Sequence, residues 1–342
     1  MGTPKHILVI RFSAMGDVAL TIPALLSVAK AHPYLTFTVI TRPFFASFFP
    51  EHPQIKAIGI DLDKYKGFFG LRKLANELQT EHQFDGVVDL HNVLRSKTIT
   101  SFLKMRGLER VTFDKKRNEK KSILSGKSDK QLPHIIEQYM NTFRKAGYKS
   151  DLIDGPWLHP TEKPQLTEFL ETNNLINKQE KWIGIAPFAA HEPKMWGMDN
   201  IQHLTEKLIE QKYKVLLFGG GKSEVEQLDA LANNENGIIS VAGKISFDQE
   251  LALMKKLDTL ICMDSSNMHF GCLLGIKVVS IWGATTPLLG FYPYGNKEFI
   301  VQVPKEEQTK LTLTGYGNKP ATNGYNWKEN ISVEKIIDLI SK

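Results

Sequence analysis

Short apolar runs alternate along this chain with segments of helical periodicity, and the alternation occurs twice. His6-Ile-Leu-Val-Ile10 is such a run, the mark of a strand buried on both faces of a parallel sheet. A turn at Ser13–Asp17 follows, then a helical pattern from Val18 to Ala31 in which Pro23 sits early enough to be tolerated. Phe37–Ile40, Ile55–Ile60 and Gly86–Leu90 read as further strands. Leu71–Gln83 reads as an amphipathic helix with Leu71, Leu74, Ala75 and Leu78 on one face. After a proline-bearing linker between Asp151 and Glu180 the series restarts. Strands are expected at Trp182–Ile185, Lys214–Phe218, Ile238–Val241, Thr259–Cys262 and Val278–Ile281. Helices are expected at Met198–Gln211, Ser223–Ala232, Phe247–Lys256 and Met268–Leu274, with a last one at Val333–Ser341. Strands alternating with helices make parallel βαβ units, so the expected class is α/β, with two doubly wound halves.

The length of 342 residues suits two domains. With 42% hydrophobic and 23% charged residues, a disordered or fibrous chain is excluded. Two cysteines, Cys262 and Cys272, cannot build a disulfide framework or a four-thiolate zinc site, and no apolar run approaches a membrane span. A first strand starting by Ile7 leaves no room for a signal peptide. The expectation is a soluble, intracellular, cytoplasmic protein, unless it docks on a membrane surface.

The net charge of +6 is local: residues 104–130 hold ten Lys and Arg against four Asp and Glu, a surplus of six. The stretch, with Lys115, Lys116, Arg117, Lys120 and Lys121 at its centre, is either a solvated loop or a landing site for an anionic partner. Phe113 alone supplies an aromatic platform there, which disfavours nucleic acid.

In such sheets ligands bind beyond the carboxyl ends of the strands. The turn after the first strand, Arg11-Phe-Ser-Ala-Met-Gly-Asp17, has one glycine and so lacks the dinucleotide fingerprint G-x-G-x-x-G. Gly219-Gly-Gly-Lys-Ser223 lacks the first glycine of a P-loop, because position 216 is Leu. Asp61-Leu-Asp63 has no further ligands to make a metal site. Asp17 is either an N-cap or a general base on a rigid turn. Ser13 beside it either shapes the turn or donates to a sugar or phosphate. Asp264-Ser265-Ser266 opens a helix whose N-terminus is a ready anion site, and His269 is either a core residue or a donor to the same anion. Lys194 is either a surface lysine or a phosphate counter-charge. Glu224 is either a first-turn glutamate or an acceptor for ribose hydroxyls.

Arg11-Phe-Ser-Ala-Met-Gly-Asp-Val18, Lys194-x-Trp196, Asp264-Ser-Ser-x-x-His269 and Trp282-Gly-Ala-Thr-Thr-Pro287 together resemble the heptosyltransferases of glycosyltransferase family 9. The resemblance spans nearly the whole chain. It implies a GT-B fold, with Rossmann-like halves facing a central cleft: an acceptor domain over 1–155, a nucleotide-sugar domain over 180–325, and a C-terminal helix in 326–342 crossing back to the first half. It implies an inverting, metal-independent transfer of heptose from an ADP-sugar to a lipopolysaccharide core or related glycolipid, with no cofactor beyond the ADP-sugar co-substrate. By position, Asp17 resembles the catalytic base. Lys194, Glu224, Ile245, Asp264, Ser265, Ser266 and His269 resemble the donor-binding set. Ser13 and the basic residues Lys115, Lys116, Arg117, Lys120 and Lys121 fall where an anionic glycolipid acceptor would bind, with peripheral contact at the cytoplasmic face of the inner membrane as the expectation. Two departures, Ala189-Ala190 where the family often has threonines and Ser266 where it has glycine, keep open a different nucleotide sugar or a non-catalytic nucleotide-binding homologue.

Overall fold

The computed structural model describes Thr3, residues 5–233 and residues 237–342. The chain divides into two compact units, one of residues 1–117 and 133–157, the other of 118–132 and 158–342.

The first unit holds a five-stranded sheet of β1 (Lys5–Ile10), β2 (Leu35–Thr41), β3 (Ile55–Gly59), β4 (Gly86–Asp89) and β5 (Glu109–Thr112), in the order β3-β2-β1-β4-β5 and parallel throughout. Its helices are α1 (Met15–Ala19), α2 (Thr21–Ala31), α3 (Pro43–Ala46), α4 (Gly67–His82) and α5 (Leu94–Met105). After α6 (Arg117–Leu124), which begins at the end of this unit's first stretch, comes α7 (Ile135–Lys145). The helical pattern expected from Val18 to Ala31 is interrupted at Leu20, where the Thr21 hydroxyl turns back to the Val18 carbonyl at 2.7 Å. Strand β1 is buried over its last four residues, and Leu8, Ile10, Leu74, Leu78, Val87, Ile99 and Leu103 form part of one apolar cluster.

The second unit holds six parallel strands, β6 (Trp182–Ala186), β7 (Lys214–Leu217), β8 (Ile238–Ser240), β9 (Thr259–Met263), β10 (Lys277–Trp282) and β11 (Ile300–Gln302), ordered β11-β10-β9-β6-β7-β8. Helices α8 (Pro164–Thr172), α9 (Met198–Glu210), α10 (Lys222–Asn233), α11 (Phe247–Met254), α12 (Ser266–Leu273) and α13 (Val333–Ser341) complete it. Both sheets have the Rossmann strand order, whose direction of winding reverses beside the first strand. The reversal falls between β1 and β4 in one unit and between β6 and β9 in the other. Each sheet therefore has a crevice at the carboxyl ends of those two strands. Cys262 and Cys272 are buried free thiols, and burial pushes Cys272 up to about 12, so neither is a reactive thiolate.

Two expectations about the ends of elements are corrected. The buried face of α13, Val333, Ile336 and Ile340, joins the core cluster of the second unit, where the sequence expectation has the last helix crossing back to the first half. Residues 104–130 are not a plain solvated loop: they contain β5 and α6. The excursion 118–132 is assigned to the second unit because Ile123 and Leu132 pack with Leu289, and Leu132 N–H donates to the Leu288 carbonyl at 2.9 Å. Two buried aliphatic side chains in the excursion, Ile123 and Leu132, are enough to override its average polarity, since each is worth about 1.5–3 kcal/mol.

Candidate active site

At the first crevice the carboxyl ends of β1 and β4 are tied by side chains. The Arg11 guanidinium donates through Nη1 to the Leu90 carbonyl at 2.7 Å, and its Nη2 lies 2.7 Å from Asp17 Oδ2. The same Asp17 oxygen accepts from Ala14 N–H at 3.1 Å. Asp17 is the third residue of α1 rather than its N-cap, so the N-cap expectation gives way to an ion pair that holds the carboxylate in one orientation. Tyr139 is buried beside Arg11, and its hydroxyl donates to the Asp17 carbonyl at 3.3 Å; burial raises the phenol above its usual range and keeps it neutral.

Ser13 lies 3.4 Å from Nε2 of His91, and Phe12 N–H donates to Nδ1 of the same ring at 3.4 Å. Burial, and then the nearby cations Arg11 and Lys115, push His91 down to about 3, so the ring is neutral at physiological pH. With Nδ1 accepting, Nε2 carries the proton and donates to Ser13 Oγ. Asp89, wholly buried at the end of β4, accepts from His91 N–H and Asn92 N–H at 2.9 Å each and from Ser96 Oγ at 2.9 Å. These bonds fix the loop that carries His91. His91 and Asp89 are functional candidates that sequence reasoning missed. The available signal was their place immediately after the fourth strand, at the winding reversal.

At the second crevice Lys194 and Asp264, seventy positions apart in the chain, meet. Lys194 Nζ is 2.9 Å from Asp264 Oδ2, and both side chains are largely buried. Thr285, which the sequence reading holds only as part of a motif, donates its hydroxyl to the same oxygen at 2.7 Å. Gly317, with φ at +62°, packs against this lysine: a Cβ there would stand 2.5 Å from Lys194 Cγ and 2.8 Å from Thr285 Cγ2. Neither Thr285 nor Gly317 is legible as a site residue in the sequence, because their roles depend on a contact across the loops.

Ser265 is the N-cap of α12 and Ser266 its first residue. The Ser265 hydroxyl is buried with no hydrogen-bond partner among the described residues. A buried hydroxyl of this kind at a helix N-terminus is placed to donate to an anion. His269 lies in the first turns of the same helix, buried, with its ring 6.5 Å from that of Phe291. Phe291 also stacks under Lys120, whose ammonium is 4.7 Å from the ring centroid. Trp196 is fully buried and donates through Nε1 to the Lys328 carbonyl, which makes it a packing residue beside the site. Gly283 lies against the Trp327 ring, where a Cβ would come within 2.2 Å. Glu224 turns back on its own glycine turn, accepting from Gly220 N–H at 2.8 Å, and Ile245 is buried after β8.

The basic residues are divided by the fold. Lys115, Lys116 and Arg117 belong to the first unit and Lys120 and Lys121 to the second, although Arg117, Lys120 and Lys121 follow one another on α6. Among the described residues there is no group of three or more His, Cys, Asp or Glu able to hold a metal, and no helix long and apolar enough to cross a membrane.

Residues 71–316 match the model of glycosyltransferase family 9 (heptosyltransferase). The chain belongs to glycosyltransferase family 9. As a family 9 enzyme it is a glycosyltransferase, and several of its relatives are similar over nearly their full length. The lipopolysaccharide core heptosyltransferase OpsX of Haemophilus influenzae is 23% identical over 99% of this chain and 97% of its own. Lipopolysaccharide heptosyltransferase 1 of Escherichia coli K12 is 21% identical over 90% of this chain and 96% of its own. Among solved structures, the family 9 glycosyl transferase of Veillonella parvula superposes with a TM-score of 0.78 at 22% identity, covering 100% of this chain and 99% of the other. The E. coli heptosyltransferase WaaC with ADP gives 0.70 at 19% identity, covering 98% and 99%. The fold of this family 9 member is accordingly the α/β, GT-B-like fold of those enzymes.

Proposed function

We propose that this family 9 enzyme transfers a heptose from ADP-heptose to a lipopolysaccharide core or related glycolipid acceptor, with inversion at the anomeric carbon. The observation that carries the reading is the Lys194–Asp264 pair at the mouth of α12, beside the buried and unsatisfied Ser265 hydroxyl. A cation fixed by a carboxylate and a threonine, next to a helix N-terminus with an unused donor, suits a diphosphate. The heptosyltransferase WaaC, a structural neighbour, has been solved with ADP and with ADP-2-deoxy-2-fluoro heptose.

Asp17 takes the proton of the acceptor hydroxyl, whose oxygen attacks the anomeric carbon as the bond to the diphosphate oxygen breaks. Arg11 holds the Asp17 carboxylate in one orientation for that step. ADP leaves with the bonding electrons. Charge growing on its diphosphate is stabilised by Lys194, Ser265, Ser266 and the N–H groups that open α12. His269 donates to the same group, Glu224 takes the ribose hydroxyls, and backbone at Ile245 faces the adenine. Ser13, oriented by His91, and the cations Lys115, Lys116, Arg117, Lys120 and Lys121 receive the acidic acceptor. These donors neutralise the leaving group without a metal.

The test is turnover with ADP-heptose, GDP- and UDP-sugars on a lipid-linked core acceptor in the presence of EDTA. Transfer from ADP-heptose alone supports the reading. Preference for another nucleotide sugar would point to the alternative donor that Ala189, Ala190 and Ser266 keep open. Binding of ADP without turnover on any acceptor would leave a nucleotide-binding homologue.

A further inference from the structure

On the first unit, Phe68 of α4 lies edge-on to Phe102 of α5, ring centroids 4.9 Å apart. Seven large apolar side chains are strongly exposed among the described residues, and four lie on this helix pair: Phe68 (60%), Phe69 (79%), Leu94 (83%) and Met105 (74%). With about 100° of turn per residue, Leu94, Thr98, Ser101 and Met105 share one face of α5, while Ile99, Phe102 and Leu103 are buried on the other side. The exposed face spans about 16 Å along the helix, which is a raised stripe and no groove.

The charges that α5 brings to that stripe are of one sign. Residues 94–106 contain Arg95, Lys97, Lys104 and Arg106 and no Asp or Glu. Together with Arg72 on α4 these are five exposed cations that make no ion pair among the described residues. Their neighbours Lys66 and Lys73 are by contrast paired with Asp63 and Glu77 at 3.6 and 3.7 Å. Exposed apolar side chains flanked by unpaired Lys and Arg are the features of a segment lying in a membrane interface, its apolar atoms among the headgroups and its cations on lipid phosphates. The basic stretch around residues 115–121 is less suited to that task. Lys115 is half-buried, Lys116 pairs with Asp114 at 3.6 Å and Lys120 stacks on Phe291.

We propose that the α4–α5 face of the first unit is the surface by which this enzyme rests on an anionic bilayer, with Phe69, Leu94 and Met105 entering the headgroup layer. The glycolipid-acceptor reading gives this surface its purpose, but the binding itself is measured without donor, acceptor or turnover. Failure of one therefore leaves the other standing.

The full chain is spun with vesicles of phosphatidylcholine alone and of phosphatidylcholine with phosphatidylglycerol. Partitioning onto the anionic vesicles is expected to exceed that onto neutral ones by about ten-fold or more and to collapse in high salt. Phe69→Ser with Leu94→Ser and Met105→Ser, all exposed positions, is expected to lower it by about ten-fold, and Lys97→Glu with Lys104→Glu by at least as much. All five native tryptophans are buried. A Phe69→Trp variant therefore carries the only exposed indole, whose emission should shift to the blue and be quenched by brominated lipid on binding. Equal binding to neutral and anionic vesicles, an unquenched Phe69→Trp indole in bound protein, or a self-association that the triple serine variant abolishes would each overturn the proposal.

Discussion

Lys194 Nζ lies 2.9 Å from Asp264 Oδ2, the oxygen to which the Thr285 hydroxyl also donates at 2.7 Å. The carboxylate thus aims the ammonium, and Thr285 aims the carboxylate. Lys194→Ala is expected to weaken ADP binding by about 10–100-fold, the size of one charge-assisted contact to phosphate. Titration calorimetry with ADP measures it, and unchanged affinity would remove the lysine from the donor site.

Gly317 packs against the same lysine with φ at +62°. An alanine there both strains the backbone and displaces the Lys194 stem or Thr285. Gly317→Ala should raise the dissociation constant for ADP several-fold while the melting temperature falls by only a few degrees, about 1 kcal/mol of backbone cost. Calorimetry and thermal melting on one preparation separate the two effects.

Asp17 is held by Arg11 at 2.7 Å. Asp17→Asn keeps the shape of the turn and removes the proton acceptor. Turnover should fall by about 10²–10⁴-fold while ADP affinity stays within about two-fold of wild type. Transfer near the wild-type rate would take the general base away from this residue.

His91 is pushed down to about 3 in the folded chain, against an ordinary value of 6.5. Between those values the unfolded chain binds a proton that the folded one refuses, so stability falls as pH drops below 6.5. The loss from pH 6.5 to 5 should be about 1–2 kcal/mol, and His91→Gln should flatten it. Urea unfolding followed at several pH values reads it directly.

Glu250 has the opposite sign. Burial raises it to about 8 from 4.5, so between those values the folded chain keeps a proton that the unfolded one has released. Stability should therefore decline as pH rises from 5 to 8, by about 3–4 kcal/mol, and Glu250→Gln should be the more stable protein at pH 8. A variant with the same alkaline slope as wild type would assign the slope elsewhere.

Much of this molecule is local information. A strand buried on both faces must be a run of apolar residues, and an amphipathic helix must repeat its apolar positions every three to four residues. For that reason β1, β4, β6, β9 and β10 and the helices α2, α4, α9, α10, α11 and α12 are legible before any contact is known, whereas α5 and α7 are not read from the sequence. Strands β5 and β11 are not: Glu109-Arg-Val-Thr112 and Ile300-Val-Gln302 are short edge strands, and their pairing alone makes them strands. The turns after β1 and β9 could likewise be picked out, because a doubly wound sheet binds ligands there and both carry distinctive polar residues.

The tertiary structure alone decided what those polar residues face. Asp17 could have served the helix start alone, but Arg11, six residues earlier, shares its carboxylate with the Ala14 N–H because the β1 turn folds them together. Lys194 and Asp264 lie after β6 and β9, strands that pair in the sheet although seventy residues separate the side chains. His91 meets Ser13 for the same reason, across β1 and β4. The basic segment was visible as charge, yet its division between units rests on Ile123 and Leu132 finding Leu289. Composition and periodicity are properties of neighbours along the chain and decide which elements form. Strand pairing and the packing of distant apolar groups are free-energy gains realised only once those elements assemble, and they decide which residues meet.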